Sequence, residues 1–135
     1  MFWTRKPTFI PETYRMGWAE ITARLREYCP IENIINRNQY YRAPVNPAYV
    51  MRMIETYKHE HIPNRRECEG FVYMFKGDLN KLGYGDLLAM DVSIETPNGP
   101  HALIGFLQCE RLVFGEPQTG AMVRPEYTKI NWIIY

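Results

Sequence analysis

The sequence predicts an α+β fold in which helices come first and pack on an antiparallel sheet of about four strands. Apolar residues recur at helical spacing as far as residue 82, and from residue 86 they form short runs typical of strands. The Asn98-Gly99 pair between two of those runs is a strong signal for a hairpin turn. Helical segments followed by consecutive strands indicate an α+β arrangement rather than an alternating α/β one.

The N-terminal part is predicted to contain an extended arm, one helix and a long connection. Residues 1–16 hold Pro7 and Pro11 among aromatic side chains, which favours an arm that packs by its rings. The apolar stripe of the first helix is formed by Trp18, Ile21, Leu25 and Tyr28. Pro30 ends this helix, and the prolines and asparagines of 30–46 predict a loop with a short helical turn near Ile34.

Two further helices are predicted before the sheet. Pro47 suits a first helical turn, so the second helix is expected to run from there to about residue 60. Asn64, with Glu67 three residues later, resembles a capping box that opens the third helix, and Gly83 ends that helix. Its apolar residues are Phe71, Val72, Phe75, Leu79 and Leu82.

The predicted strands occupy residues 87–95, 101–108, 111–114 and 129–135. Cys109-Glu110 is a second, weaker turn signal between the middle two strands. No internal repeat, low-complexity tract or linker divides the sequence, so residues 1–135 are predicted to form a single domain.

Composition and charge argue against several classes of protein. The formal net charge of +1 gives no field that would draw the chain to nucleic acid or to a membrane surface. No apolar run approaches the roughly 20 residues of a membrane helix, and the N-terminus lacks the apolar core of a signal peptide. Three widely spaced cysteines do not suggest a disulfide framework. We therefore expect a cytoplasmic protein that is not secreted.

Three residues form a candidate catalytic group. Cys68 lies at the predicted start of the third helix, His101 opens a strand, and Glu116 follows the next strand. A thiol attacks carbonyl carbon as the thiolate, and a helix start and a nearby imidazole both favour that form. A carboxylate on the far side of the imidazole would fix its tautomer, as the third member of a triad does.

The same three residues also have ordinary structural explanations. Cys68 continues the apolar stripe of Phe71 and Phe75, and free cysteines are commonly buried in cores. A histidine at a strand start is more often structural than catalytic, and a glutamate before a proline near a turn is usually solvated. Spacing alone leaves both interpretations open.

Two other kinds of site fit less well. His59 and His61, with Cys68 and His101, suggest a zinc site, but the paired ligands typical of small zinc sites are missing. Arginines near tyrosines suggest single-stranded nucleic-acid binding, which the balanced charge disfavours. The residues concerned are Arg37, Arg42, Arg52, Arg65, Arg66, Tyr40 and Tyr41.

Short segments around the three candidate residues resemble a known family. They are Arg66-Glu67-Cys68-Glu69-Gly70-Phe71, Gly99-Pro100-His101-Ala102 and Phe114-Gly115-Glu116-Pro117-Gln118-Thr119-Gly120. Over about residues 47–135 the chain resembles the C-terminal domain of a mushroom agglutinin, a papain-like cysteine protease with phage and bacterial relatives. The resemblance implies that Cys68 is the nucleophile, His101 the general base and acid, and Glu116 the orienting carboxylate. It also implies calcium, with Glu69 and Gln118 as the counterparts of its ligands, although the chemistry itself requires no cofactor.

The sequence thus predicts a cysteine hydrolase of papain-like architecture, a peptidase or amidase that cleaves a peptide or protein substrate through a thioester. The alternative is a non-catalytic papain-like protein, phage-encoded, with a structural or partner-binding role in the host cytoplasm or the virion. In that role an aromatic arm would dock another protein subunit, because Tyr and Trp suit contact surfaces. The residues of this arm are Phe2, Trp3, Phe9 and Tyr14.

Overall fold

The computed structural model describes residues 11–58 and 68–135, and within them the chain forms three α-helices and eight strands. The helices are α1 (Trp18–Leu25), α2 (Pro47–Lys58) and α3 (Cys68–Lys81). The strands are β1 (Thr13–Gly17), β2 (Ile34–Ile35), β3 (Tyr40–Pro44), β4 (Met90–Thr96), β5 (Gly99–Gln108), β6 (Arg111–Glu116), β7 (Ala121–Val123) and β8 (Lys129–Ile134). A 3₁₀ turn at Ile31–Asn33 precedes β2.

The described strands make two sheets. The larger has six strands in the order β2-β8-β4-β5-β6-β7, and the smaller pairs β1 with β3. In the larger sheet the neighbours are antiparallel except β2 and β8, which are parallel. The edges of this sheet are β2, with two residues, and β7, with three.

The two faces of the six-stranded sheet bury separate clusters of apolar side chains. On one face α2 and α3 pack against Ala102, Ile104 and Phe106 of β5. On the other face α1 and the β1–β3 pair pack around Leu103 and Leu107. Because successive residues of a strand point to opposite faces, β5 is covered on both sides along most of its length. It is therefore a rigid support for the side chains at its N-terminal end.

The predicted α+β class is confirmed, but the expected number of about four strands is wrong. The larger sheet alone has six, because β2 and β7 are too short to show an alternating pattern in the sequence. β3 lies in the stretch expected to be a loop, where its own Pro44 and the flanking asparagines suggested turns. The hairpin indicated by Asn98-Gly99 does form, with Thr96 paired to Gly99.

α1 and α2 begin close to their predicted positions, and the predicted start of α3 lies outside the described residues. α2 starts at Pro47 as expected, and α1 ends at Leu25, one turn before the predicted end. In the part expected to be an extended arm, residues 13–17 form β1, and Met16 within it is buried. None of the helices in the described ranges is long and apolar enough to cross a membrane. The expectations that fall outside the described residues concern Phe2, Trp3, Phe9, His59, His61, Asn64, Arg65, Arg66 and Glu67.

Candidate functional site

The structure brings His101 and Glu116 into direct contact. Nε2 of His101 lies 2.8 Å from Oε1 of Glu116. His101 is the third residue of β5, and Glu116 is the last residue of β6. The β5–β6 register pairs Ile104 with Gly115, so the next residue of β6, Glu116, comes opposite Leu103. Leu103 is two residues after His101, so Glu116 and His101 lie on the same face of the sheet. The hairpin itself therefore positions this pair.

The carboxylate of Glu116 is held at both oxygens. Oε1 faces the imidazole, and Oε2 accepts the backbone N–H of Gln118 at 3.2 Å. The turn behind it is closed by the N–H of Gly120, which donates to the backbone carbonyl of Glu116 at 2.8 Å. The side chain of Glu116 is 15% exposed and that of His101 is 31% exposed. The pair is thus fixed in orientation and still reachable from solvent.

The side chain of His101 lines a surface pocket of about 510 Å³ beside the β4–β5 hairpin. The lining residues are Thr96, Pro97, Asn98, Pro100, His101, Pro125 and Glu126. Within the described part of the chain, Nδ1 of His101, the side-chain amide of Asn98 and the carboxylate of Glu126 have no hydrogen-bond partner. The pocket therefore presents one imidazole nitrogen, one amide and one carboxylate to whatever enters it.

The remaining predicted site residues are only partly described. Cys68 is the first residue of α3 and Glu69 is the second, and the side chains of both lie outside the described residues. Gln118 is exposed in the turn after β6, where its backbone rather than its side chain supports Glu116. What the structure describes of the predicted triad is therefore the His101–Glu116 pair.

Neither metal expectation is tested by the described geometry. Among residues 11–58 and 68–135, no group of three or more His, Cys, Asp or Glu side chains is arranged to hold a metal ion. The calcium expectation depends on Glu69, whose side chain is not described, and the zinc expectation depends on His59 and His61, which are not described either. The predicted calcium site stays a prediction.

Sequence reasoning missed a second pocket, of about 480 Å³, at the β6–β7 edge of the sheet. Apolar side chains from both faces of the sheet line it, together with two arginines. The lining residues are Gln108, Arg111, Leu112, Val113, Phe114, Met122, Val123, Arg124, Pro125 and Tyr127. Pro125 borders both this pocket and the one at His101. The only signal in the sequence was a pair of arginines flanking two strands, and the pairing of β7 with β6 is needed to see that both line one pocket.

Tyr127 connects this second pocket to the core. Its ring packs edge-on against Phe114, with the ring centroids 5.8 Å apart and an angle of 78° between the planes. Burial raises the pKa of the Tyr127 phenol, with a smaller contribution from Tyr28. The ring is therefore a neutral, well-anchored wall of the pocket at physiological pH.

No protein-family model matches the sequence, and the comparison with curated proteins finds no match. Solved structures do match. PSL1a in complex with E-64 aligns with a TM-score of 0.71 and 21% identity over 90% of this chain. Polyporus squamosus lectin bound to the human-type influenza-binding epitope Neu5Acα2-6Galβ1-4GlcNAc aligns with a TM-score of 0.65 and 19% identity, also over 90%. This chain spans about half of each lectin chain, 50% and 49% respectively.

These structural neighbours correct the predicted function. The expected cysteine hydrolase, with its thiol-protease triad, is wrong, because the structures that share this fold are those of a lectin. The alternative of a non-catalytic binding protein agrees better with the comparison. A triad-like set of residues was a weak basis for the hydrolase, since one fold carries many functions. The resemblance to a mushroom agglutinin is confirmed as a shared fold, and nothing in the comparison supports the papain-like protease.

Proposed function

We propose that this chain is a non-catalytic binding domain whose ligand is a saccharide. The observation that carries the proposal is the His101 pocket, where Glu116 fixes the imidazole at 2.8 Å. Beside it lie the amide of Asn98 and the carboxylate of Glu126, neither of which bonds to another of the described side chains. The fold shared with a lectin supports the same ligand class.

The polar groups of this pocket suit a ligand rich in hydroxyl groups. Each sugar hydroxyl donates one hydrogen bond and accepts others, so it pairs with acceptors and donors alike. Glu126 supplies acceptors, Asn98 supplies both kinds, and His101 supplies one ring nitrogen. Because Glu116 already holds the imidazole, little side-chain freedom at His101 is lost when a ligand binds.

The apolar walls of the pocket favour the ring face of a sugar. Pro97, Pro100 and Pro125 border the pocket, and their rings are rigid and carry no side-chain hydrogen-bonding group. A pyranose ring has an apolar face of C–H groups and a polar edge of hydroxyls. Binding sites for such ligands combine an apolar lining with a few placed polar groups. The His101 pocket has this composition.

The proposal is tested by NMR titration of the ¹⁵N-labelled protein with two probes. One probe is the acidic trisaccharide Neu5Acα2-6Galβ1-4GlcNAc, and the other is its neutral part Galβ1-4GlcNAc. We expect chemical-shift changes at the β4–β5 hairpin and around Pro125. Asn98→Ala should weaken binding about fivefold to tenfold, the effect of one lost hydrogen bond. Gln39→Ala, an exposed amide on the β1–β3 side, should leave it unchanged.

Two results would overturn the proposal. Absence of binding by both saccharides, with no shift at Asn98 or His101, would remove the saccharide as the ligand. Turnover of a peptide substrate that disappears in Cys68→Ala would remove the non-catalytic assignment.

Several finer expectations stay predictions beside this proposal. They are the papain-like plan of the backbone, the single domain over residues 1–135, the cytoplasmic or virion location, and docking of a protein partner by the aromatic arm. Of that arm the structure describes Tyr14, whose side chain is 43% exposed.

A further inference from the structure

We infer that the pocket at the β6–β7 edge binds the acidic group of a charged saccharide, with Arg111 and Arg124 as the anion-binding residues. The inference rests on the proposed function, because it names the kind of saccharide the domain binds. It concerns a site separate from the His101 pocket, although Pro125 borders both.

The sheet register brings the two arginines together. β6 and β7 pair Gly115 with Met122 and Phe114 with Val123, and Arg124 is the first residue after β7. Arg111 is the first residue of β6. Both arginines line the same pocket, so one ligand group bound there lies near both guanidinium groups.

The positive charge of this pocket is not neutralised by the described protein. Among the described residues that line the pocket none is acidic, and neither Arg111 nor Arg124 makes an ion pair within the described ranges. Glu110 is next to Arg111 in sequence, but its carboxylate is engaged by Arg24 on α1, with 3.0 Å between Nη1 and Oε1. Two positive charges in one pocket favour an anionic ligand.

The ligand chemistry follows from the guanidinium groups and the apolar lining residues together. A guanidinium group presents a planar fork of donors that matches a carboxylate or a sulfate group. The apolar lining residues and the ring of Tyr127 would lie against carbon atoms, so a small inorganic ion would leave most of the pocket unfilled. A sugar that carries a carboxylate or a sulfate group supplies both parts.

The test compares the acidic trisaccharide with its carboxylate methyl ester, which has the same shape but no charge. Wild-type protein should bind the acid at least about tenfold more tightly than the ester, the effect of one charge-assisted hydrogen-bonded pair. In Arg111→Gln and Arg124→Gln that ratio should fall towards one. Arg52→Gln removes the same charge from an exposed position on α2, and it should keep the wild-type ratio. A 6-sulfated Galβ1-4GlcNAc probe separates sulfate from carboxylate as the preferred group.

The outcomes distinguish this inference from the proposed function. Equal affinity for acid and ester in wild-type protein would overturn the anion site and leave saccharide binding standing. If neither saccharide binds, titration with N-acetylneuraminate, observed at the arginine Nε–Hε signals, decides the anion site alone. Shifts of the Arg111 and Arg124 signals, with none at Arg52, would support it. No shift at either residue would overturn it.

Discussion

Met51 of α2 occupies the space that a side chain at Gly115 would need. A Cβ atom built at Gly115 would lie 2.7 Å from Cε of Met51, which is fully buried and has little room to move. Gly115→Ala should therefore lower the free energy of unfolding by about 1–3 kcal/mol through overpacking. Urea denaturation followed by circular dichroism measures this change. Gly115 directly precedes Glu116, so the same contact with α2 also fixes the backbone from which the Glu116 side chain extends.

Gly77 provides the matched control for this argument. It lies within α3, is exposed, and a Cβ atom there would meet nothing within 4 Å. Gly77→Ala should raise the free energy of unfolding by about 0.5–1 kcal/mol, because alanine is the better helix former. If both variants shift stability in the same direction, the packing of Met51 on Gly115 is not what matters.

The turn between β5 and β6 predicts a stabilising substitution. Cys109 and Glu110 have φ angles of 50° and 67°, and Gln108 pairs with Arg111 around them, as in a two-residue turn of the left-handed kind. Asparagine tolerates this conformation better than cysteine, and the thiol of Cys109 is exposed, so no packing is lost. Cys109→Asn should add about 0.5–1 kcal/mol to the free energy of unfolding. Cys109→Val, branched at Cβ, should reduce it in the same thermal or urea assay.

The pair of Arg42 and Asp86 predicts a loss of stability in acid. Nε and Nη2 of Arg42 donate to the two carboxylate oxygens at 2.9 and 2.7 Å, and this bonding lowers the pKa of Asp86. A depressed carboxyl pKa gives stability that is present above the unfolded value near 4 and is lost as pH falls through the folded value. Both side chains are more than one third exposed, so Asp86→Asn should cost only about 0.5–1 kcal/mol at pH 7.

The decisive measurement is how the destabilisation caused by Asp86→Asn changes with pH. Urea titrations of wild-type and Asp86→Asn protein should differ at pH 7 and converge towards pH 2. Glu27→Gln, at an exposed position in the turn after α1, is the control for removal of a carboxylate. A difference between wild-type and Asp86→Asn protein that stays constant down to pH 2 would contradict the ion-pair explanation.

The buried hydroxyl of Tyr135 predicts a loss of stability in alkali. Tyr135 is 2% exposed, its hydroxyl donates to the backbone carbonyl of Trp18 at 3.2 Å, and it also contacts the hydroxyl of Thr22. Burial raises the pKa of Tyr135, so its contribution is complete below the unfolded value near 10 and is lost as pH rises through the folded value. Tyr135→Phe should cost about 1–2 kcal/mol at pH 8 through the lost hydrogen bonds.

Stability measured at pH 8 and pH 11 checks this prediction. Tyr135→Phe should lose less stability between the two pH values than wild-type protein does, because one raised phenol has been removed. Tyr73→Phe, at a side chain that is 60% exposed, should follow the wild-type curve. Parallel curves for wild-type and Tyr135→Phe protein would show that the buried phenol does not govern alkaline stability.

The sequence predicted the long elements well because their buried faces repeat at a fixed spacing. α2 and α3 each bury a stripe of apolar residues, and β5 is long enough to show its strand character. β2, β3 and β7 were missed, because two or three residues have no period and Pro44 resembled a turn signal. The extent of the sheet depends on pairing between distant segments, such as Ile34 with Ile133, which no local pattern contains.

Of the candidate site, the structure describes the contact between His101 and Glu116, and the place of Cys68 beside them stays a prediction. His101 and Glu116 were chosen as members of a triad, and the structure does place them in contact. An imidazole fixed by a carboxylate serves catalysis and ligand binding equally, so residue types alone did not decide between them. Arg111 and Arg124 were not singled out, because 12 positions separate them and only the pairing of β6 with β7 relates them.

The short outermost strands have a consequence for the behaviour of the purified protein. The edge strands β2 and β7 have two and three residues, so each offers only a short row of main-chain groups to which another chain could add a strand. We expect concentrated solutions to remain clear and free of thioflavin-positive aggregates until conditions approach the melting transition.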